Sequence, residues 1–284
     1  MLKQRVLTAS ALFVFLLGVL FWGGPVSWLI LFSFTGFLAA REWFALAFSD
    51  RPHLSSIPFA SVVAAIVALT PWLVRLPLMF WGALTLGLAL WMVLSVIWFQ
   101  RHKGEPGSTS WLVKTCQAWW SLPVGGALIV NFHVIAWWFL RDFGPGWLLL
   151  SLFVIWAVDT GAYFAGRRYG RTKLALYVSP GKTWEGVLGG AVLAFGVALI
   201  GLYWLQSAGV GRLLTPLELV WLALGLMTLG VLSVFGDLFE SLLKRINGQK
   251  DSGRLLPGHG GLLDRIDSLL LAIPLFFFFW VMWA

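Results

Sequence analysis

The sequence predicts an all-α polytopic membrane protein, and three observations carry that prediction. Of its 284 residues 60% are hydrophobic and only 11% charged, with 19 Trp and 23 Phe, far from the composition of a soluble domain. Apolar runs of about 17 to 25 residues, each long enough to cross a roughly 30 Å hydrocarbon core as a helix, recur along the whole chain. The runs are continuously apolar rather than alternating. They therefore read as helices, which satisfy their own backbone hydrogen bonds, and not as the strands of a barrel.

Nine spans follow in order. The first, Val6 to Trp22, is preceded by Lys3 and Arg5, a pattern shared with cleavable signal peptides. An uncleaved span is expected, because the next run, Val26 to Ala47, starts directly after Gly23, Gly24 and Pro25. Ile57 to Val74, Leu78 to Phe99 and Trp119 to Leu140 are the third, fourth and fifth, and all five carry few charges. Between the fourth and fifth, "RHKGEPGSTSWLVK" (Arg101 to Lys114) is polar with Gly and Pro and reads as a loop. It divides the chain into scaffold helices over residues 1–118 and a region over residues 119–284 where the chemistry is expected. Trp147 to Ala165, Val187 to Leu205, Leu217 to Phe235 and Ser268 to Trp283 complete the set.

Topology follows from Lys and Arg, which concentrate on the cytoplasmic side. With the N-terminus inside, the inner segments carry Lys3, Arg5, Arg41, Arg51, Arg101, Lys103, Lys114, Arg167, Arg168, Arg171, Lys173, Lys182, Lys244, Arg245, Lys250, Arg254 and Arg265. Only Arg75, Arg141 and Arg212 fall outside, a split of 17 to 3 that puts the C-terminus on the opposite side. The net charge of +8 thus lies on one membrane face, suited to anionic headgroups or nucleotide phosphates, and needs no nucleic acid to explain it. Cys116 is the only cysteine, which excludes a disulfide within the chain and a multi-cysteine metal site.

Candidate chemistry gathers from Trp156 onward. Asp159 lies inside a span, where an ionised carboxylate costs a few kcal/mol or more unless paired or hydrated; both a ligand contact and a structural ion pair fit it. In "YVSPGKTWEG" the Gly181-Lys182-Thr183 run suggests a P-loop, but position 176 is Leu where that motif needs Gly, and no strand is expected there. What remains is a helix started by Ser179 and Pro180, with Lys182 and Thr183 near its free N–H groups and Glu185 in its first turn. That arrangement serves a phosphate or an ordinary cap equally well. In "SVFGDLFESLLKRINGQKD" the residues Asp237, Glu240, Ser241 and Lys244 share one helical face, opposite Leu238, Phe239, Leu242 and Leu243. This makes an amphipathic continuation of the eighth span. In "PGHGGLLDRID" the glycines permit close backbone approach, His259 is either structural or chemical, and Asp264 and Asp267 follow on one face beside Arg265. Carboxylates and cations together at a membrane surface fit phosphate chemistry: magnesium is held by one or two carboxylates with phosphates and water, while Lys and Arg offset the remaining charge.

The stretch from Ser241 to Asp267 resembles the signature of phosphatidate cytidylyltransferases, also called CDP-diacylglycerol synthases. Ser241, Leu243, Lys244, Arg245, Lys250, Asp251, Gly253, Pro257, His259, Gly260, Gly261, Asp264, Arg265, Ile266 and Asp267 all match its pattern. The resemblance extends back through "SPGKTWEG" and "VDTGAYFAGRRYG" and so covers the C-terminal half. It implies condensation of CTP with phosphatidic acid to CDP-diacylglycerol and pyrophosphate in phospholipid biosynthesis, dependent on Mg2+, with Asp237 and Asp264 as metal ligands and a second metal ion left open. On that basis Lys182, Lys244, Arg245 and Lys250 are expected to clamp phosphates, and Arg265 to join them or hold Asp264. Asp251, His259 and Asp267 are expected among the catalytic residues. Asp159, Ser179, Thr183, Glu185, Ser241 and Arg254 are expected at the substrates. The expected partners are CTP, phosphatidic acid, membrane lipids and, in an open question, a second copy of the chain. A bacterial cytoplasmic membrane is the expected location. The rivals are a CTP-using enzyme acting on another lipid, a cation-coupled transporter, against which the absence of internal symmetry speaks, and a catalytically silent scaffold, which the intact signature disfavours.

Overall fold

A computed structural model describes residues 2–48, 53–102, 121–249, 251–253, 255 and 260–283. The helices are α1 (Leu2–Trp22), α2 (Pro25–Ala47), α3 (Ile57–Ala68), α4 (Thr70–Leu73), α5 (Leu78–Arg101), α6 (Ser121–Phe143), α7 (Pro145–Tyr169), α8 (Trp184–Ser207), α9 (Pro216–Ile246) and α10 (Leu263–Trp283). A 3₁₀ turn, His53–Ser56, precedes α3. An antiparallel hairpin of β1 (Lys173–Ala175) and β2 (Ser179–Thr183) joins α7 to α8. Among the described residues seven helices, α2 and α5 to α10, are long and apolar enough to cross a membrane. The fold is all-α and polytopic apart from the hairpin. The first expected span coincides with α1, and the third is broken into α3 and α4.

The break between α3 and α4 has a local cause. Pro71 has no N–H to donate to the carbonyl of Val67, and its ring disfavours a continuous helix. The Thr70 hydroxyl donates to Val67 O instead, so the freed carbonyl is satisfied inside the membrane region. In α6 the polar groups within apolar sequence are paired to neighbours: Asn131 Nδ2 donates to Thr85 Oγ1 of α5 at 3.1 Å, and a His133 ring nitrogen lies 3.0 Å from Thr35 Oγ1 of α2. Large apolar side chains such as Leu86, Leu90, Val192 and Ile200 are exposed, as expected of faces that meet lipid.

Glycine brings the helices of the C-terminal half together. A Cβ at Gly161 of α7 would lie 2.7 Å from Gly189 O of α8, and one at Gly190 would lie 2.6 Å from Val158 O. Backbones this close are the usual product of small residues at a helix interface in lipid. Gly236 does the same between α9 and α10, where a Cβ would meet Asp267 O at 2.5 Å and Ser268 Cα at 3.1 Å. That contact lies beside Asp237 and Asp267, so the two backbones meet closely at the level of these carboxylates.

The hairpin is where the structure departs from expectation. Ser179 and Pro180 do not start a helix: they lie in β2, and the helix begins at Trp184, with Thr183 as its cap accepting from Gly186 N at 3.1 Å. Lys173 pairs opposite Thr183 and Ala175 opposite Ser179. The loop end is held by Gln100 of α5, whose Oε1 accepts from Tyr177 N at 3.0 Å, and by Arg245 of α9, whose Nε donates to Val178 O at 3.4 Å. The Gly181-Lys182-Thr183 run thus lies within a strand, β2, of the hairpin, still without a P-loop's first glycine.

Candidate active site

The eighth expected span does not stop at Phe235. α9 is one helix of 31 residues, opened by a capping box between Thr215 and Glu218 and carrying its polar face to Ile246. Leu238, Phe239, Leu242 and Leu243 are buried, between 0% and 2% exposed, which anchors the last turns and fixes where the other side chains point. Ser241 Oγ donates to Asp237 Oδ1 at 3.3 Å. Asp237 Oδ2 receives Lys182 Nζ from β2 at 2.8 Å. Lys244 Nζ lies 2.8 Å from both Glu240 Oε2 on its own helix and Asp264 Oδ1 on α10. The hairpin and two helices are therefore stitched by two lysines, each on a carboxylate.

Asp264 folds back over the start of α10. Its Oδ2 accepts from Gly261 N at 2.8 Å and from Ser252 N at 3.1 Å. Gly260 has φ +82, in the left-handed region that glycine tolerates, and a Cβ there would press on Asp264 Oδ2 at 2.6 Å. The first N–H groups of any helix have no partner within it. Here they are met in sequence: Gly261 N by Asp264, Leu262 N and Leu263 N by Glu42 at 2.9 and 2.7 Å, and Asp264 N by Ser252 Oγ at 3.3 Å. Glu42, in α2, was not among the expected site residues. The signal was present, since "AAREWF" sets a carboxylate inside a span just as Asp159 does, but the spans within residues 1–118 read as scaffold.

These elements enclose a cavity of about 470 Å³ lined by Trp156, Asp159, Asp237, Lys244, Asp251, Asp264, Arg265, Asp267 and Ser268. Lys182 and Ser241 join it through Asp237, and the charges that act on Asp159 are those of Lys182 and Asp237. Four expected residues are not among those lining the cavity. Arg245 reaches the hairpin carbonyl, Ser179 is in the β ladder, Thr183 caps α8, and Glu185 accepts from the backbone N–H of Arg171 and Thr172, both at 3.1 Å. Lys250, Arg254 and His259 lie outside the described residues.

Among the described residues five carboxylates line the cavity against two cations, Lys244 and Arg265, with Lys182 reaching it through Asp237. Glu240 Oε1, buried just behind, receives no donor among the described residues, and its charged neighbours include Asp264 and Asp267. Such a surface repels polyanions unless cations enter with them. No group of three or more His, Cys, Asp or Glu is gathered closely enough to hold a metal alone among the described residues. Magnesium does not need one: it is commonly held by one or two carboxylates, with substrate phosphates and water completing its octahedron. The donor set fits a metal that arrives with a phosphate substrate, with Asp237 and Asp264 each now covered by a lysine.

A model of the Cytidylyltransferase family matches residues 3–283. The chain belongs to this family. Among its relatives, a protein of Pseudomonas aeruginosa named phosphatidate cytidylyltransferase is 35% identical over 282 residues, covering 97% of this chain and 96% of that one. One of Brucella suis with the same name is 33% identical over 286 residues, covering 100% and 94%. A third, from Haemophilus influenzae, is 50% identical over 135 residues, but this match spans only 47% of the chain and 45% of the relative.

Proposed function

We propose that this chain is an integral membrane cytidylyltransferase that condenses CTP with phosphatidic acid, giving CDP-diacylglycerol and pyrophosphate. The observation that carries it is the cavity lined by five carboxylates among the described residues, two of which, Asp237 and Asp264, each hold a lysine. Family membership and the names of the full-length relatives support the same substrates.

In this reading the basic end of the bundle faces the cytoplasm of a bacterial cell, and phosphatidic acid enters from the inner leaflet while its acyl chains stay in lipid. Its phosphate is already ionised near neutral pH, so the chain needs neither a nucleophile nor a general base of its own. Attack on the α-phosphorus of CTP forms the new P–O bond as the bond to pyrophosphate breaks. Magnesium held by Asp237 and Asp264 would neutralise charge on the reacting phosphates and set their relative orientation. With those carboxylates on a metal, Lys182 and Lys244 would exchange a carboxylate partner for a phosphate one, with little loss of charge pairing. Arg265 and Asp251 line the same cavity, and Lys250, next to Asp251 in sequence, is proposed as a further phosphate clamp. Ser241 keeps Asp237 in register.

The test is incorporation of label from CTP into a lipid-extractable product by purified protein in mixed micelles. Incorporation that requires both phosphatidic acid and magnesium, and falls about 100-fold or more in Asp264→Asn, is the expected result. Transfer to another lipid phosphate, with phosphatidic acid inert, would overturn the substrate.

A further inference from the structure

We infer that Glu42 is a positioning residue of the active site, contributed by the N-terminal half of the chain, which sets the geometry of Asp264 through Ser252 and the start of α10. The residue is 8% exposed and its carboxylate accepts three hydrogen bonds, from Ser252, Leu262 and Leu263. Leu262 N donates to Oε1 at 2.9 Å, and Leu263 N and Ser252 Oγ donate to Oε2 at 2.7 and 3.1 Å. Ser252 closes a relay, since its N–H donates to Asp264 and its hydroxyl accepts from Asp264 N at 3.3 Å. The two carboxylates thus share one short piece of backbone across a separation of 222 residues in sequence, 42 to 264.

The fit around Glu42 is tight. A Cβ at Gly253 would lie 2.8 Å from Oε1, and one at Gly261 would collide with both the Glu42 carboxylate and Ser252 Oγ. Two glycines therefore admit the carboxylate to the backbone. The donors it meets are consecutive N–H groups at a helix start, where negative charge is favoured. A neutral amide cannot replace it, because one side of Gln must present N–H to an N–H. A carboxylate that only stabilised the bundle would have no reason to take all three bonds from the loop bearing Asp264. Groups that orient a metal ligand are typically worth about 10- to 100-fold in metal affinity or activity.

The inference rests on the reading that Asp264 works in the cavity on a metal, so the experiment carries both. Wild type, Glu42→Gln, Ser252→Ala, Asp264→Asn and Thr85→Val are purified in detergent. Each is assayed for the magnesium concentration giving half-maximal transfer, for binding of Mn2+ together with CTP, in the absence of lipid, by electron paramagnetic resonance, and for melting temperature. Glu42→Gln is expected to raise the magnesium requirement and weaken Mn2+ binding about tenfold or more, and Ser252→Ala about threefold. Thr85→Val, which removes the buried pair with Asn131 far from the loop, should lower the melting temperature and move neither metal readout. Unchanged metal readouts in Glu42→Gln, at any melting temperature, would make Glu42 a merely structural residue. If that variant does not fold, the same outcomes in Ser252→Ala decide. Full activity and Mn2+ binding in Asp264→Asn would instead overturn the reading of the site.

Discussion

Asp264 has both carboxylate oxygens engaged, by Lys244 on one and backbone N–H groups on the other, so it arrives at the cavity already oriented. Asp237 is similarly covered by Lys182. If the lysines change partner when phosphate enters, Lys182→Met should lower kcat/KM for CTP by about 10- to 100-fold, the worth of a charge-assisted hydrogen bond. Steady-state kinetics with CTP varied checks it; an unchanged value would leave Lys182 as a structural tie. Asp159, Asp237 and Asp264 were legible in sequence because a carboxylate within or beside an apolar run is costly without a reason. Glu42 obeyed the same rule. Its partners are two backbone N–H groups and the Ser252 hydroxyl, all more than 200 residues away, which no local pattern displays. Nor could sequence show that Arg245, inside the signature, would turn to the hairpin.

At the scale of elements, the hairpin and the helix ends decide which polar groups reach the cavity. Thr183 is 5% exposed and caps α8, so Thr183→Ala should cost about 1 kcal/mol of stability and change KM for CTP by less than about threefold. Thermal unfolding and kinetics on one preparation separate this from a nucleotide contact, which would raise KM strongly. Gly236→Val should push α9 from α10 beside Asp237 and Asp267, and lower both melting temperature and kcat, because the added side chain meets backbone rather than a flexible tip. The amphipathic end of α9 was legible from its four-residue spacing. The hairpin was not, since Ser179 to Thr183 contains Pro and Gly, has no apolar alternation, and is stabilised by α5 and α9.

For the whole molecule, hydropathy sufficed to show an all-α membrane protein, and the broken third span shows its limit: composition reads through a proline that the backbone does not. The asymmetry of basic residues predicts the N-terminus inside and the end of α10 outside. Reporter fusions after Trp283 should be active only on the outer side; activity inside would mean that a span had been miscounted. The central claim is that the acidic cavity joins the α-phosphate of CTP to a lipid phosphate. Parallel reactions with α-labelled and γ-labelled CTP, phosphatidic acid and magnesium test it most directly. The account predicts α-label in the lipid phase and γ-label only in released pyrophosphate. γ-Label in the lipid would show a kinase, and label in neither, from folded protein, would contradict nucleotidyl transfer altogether.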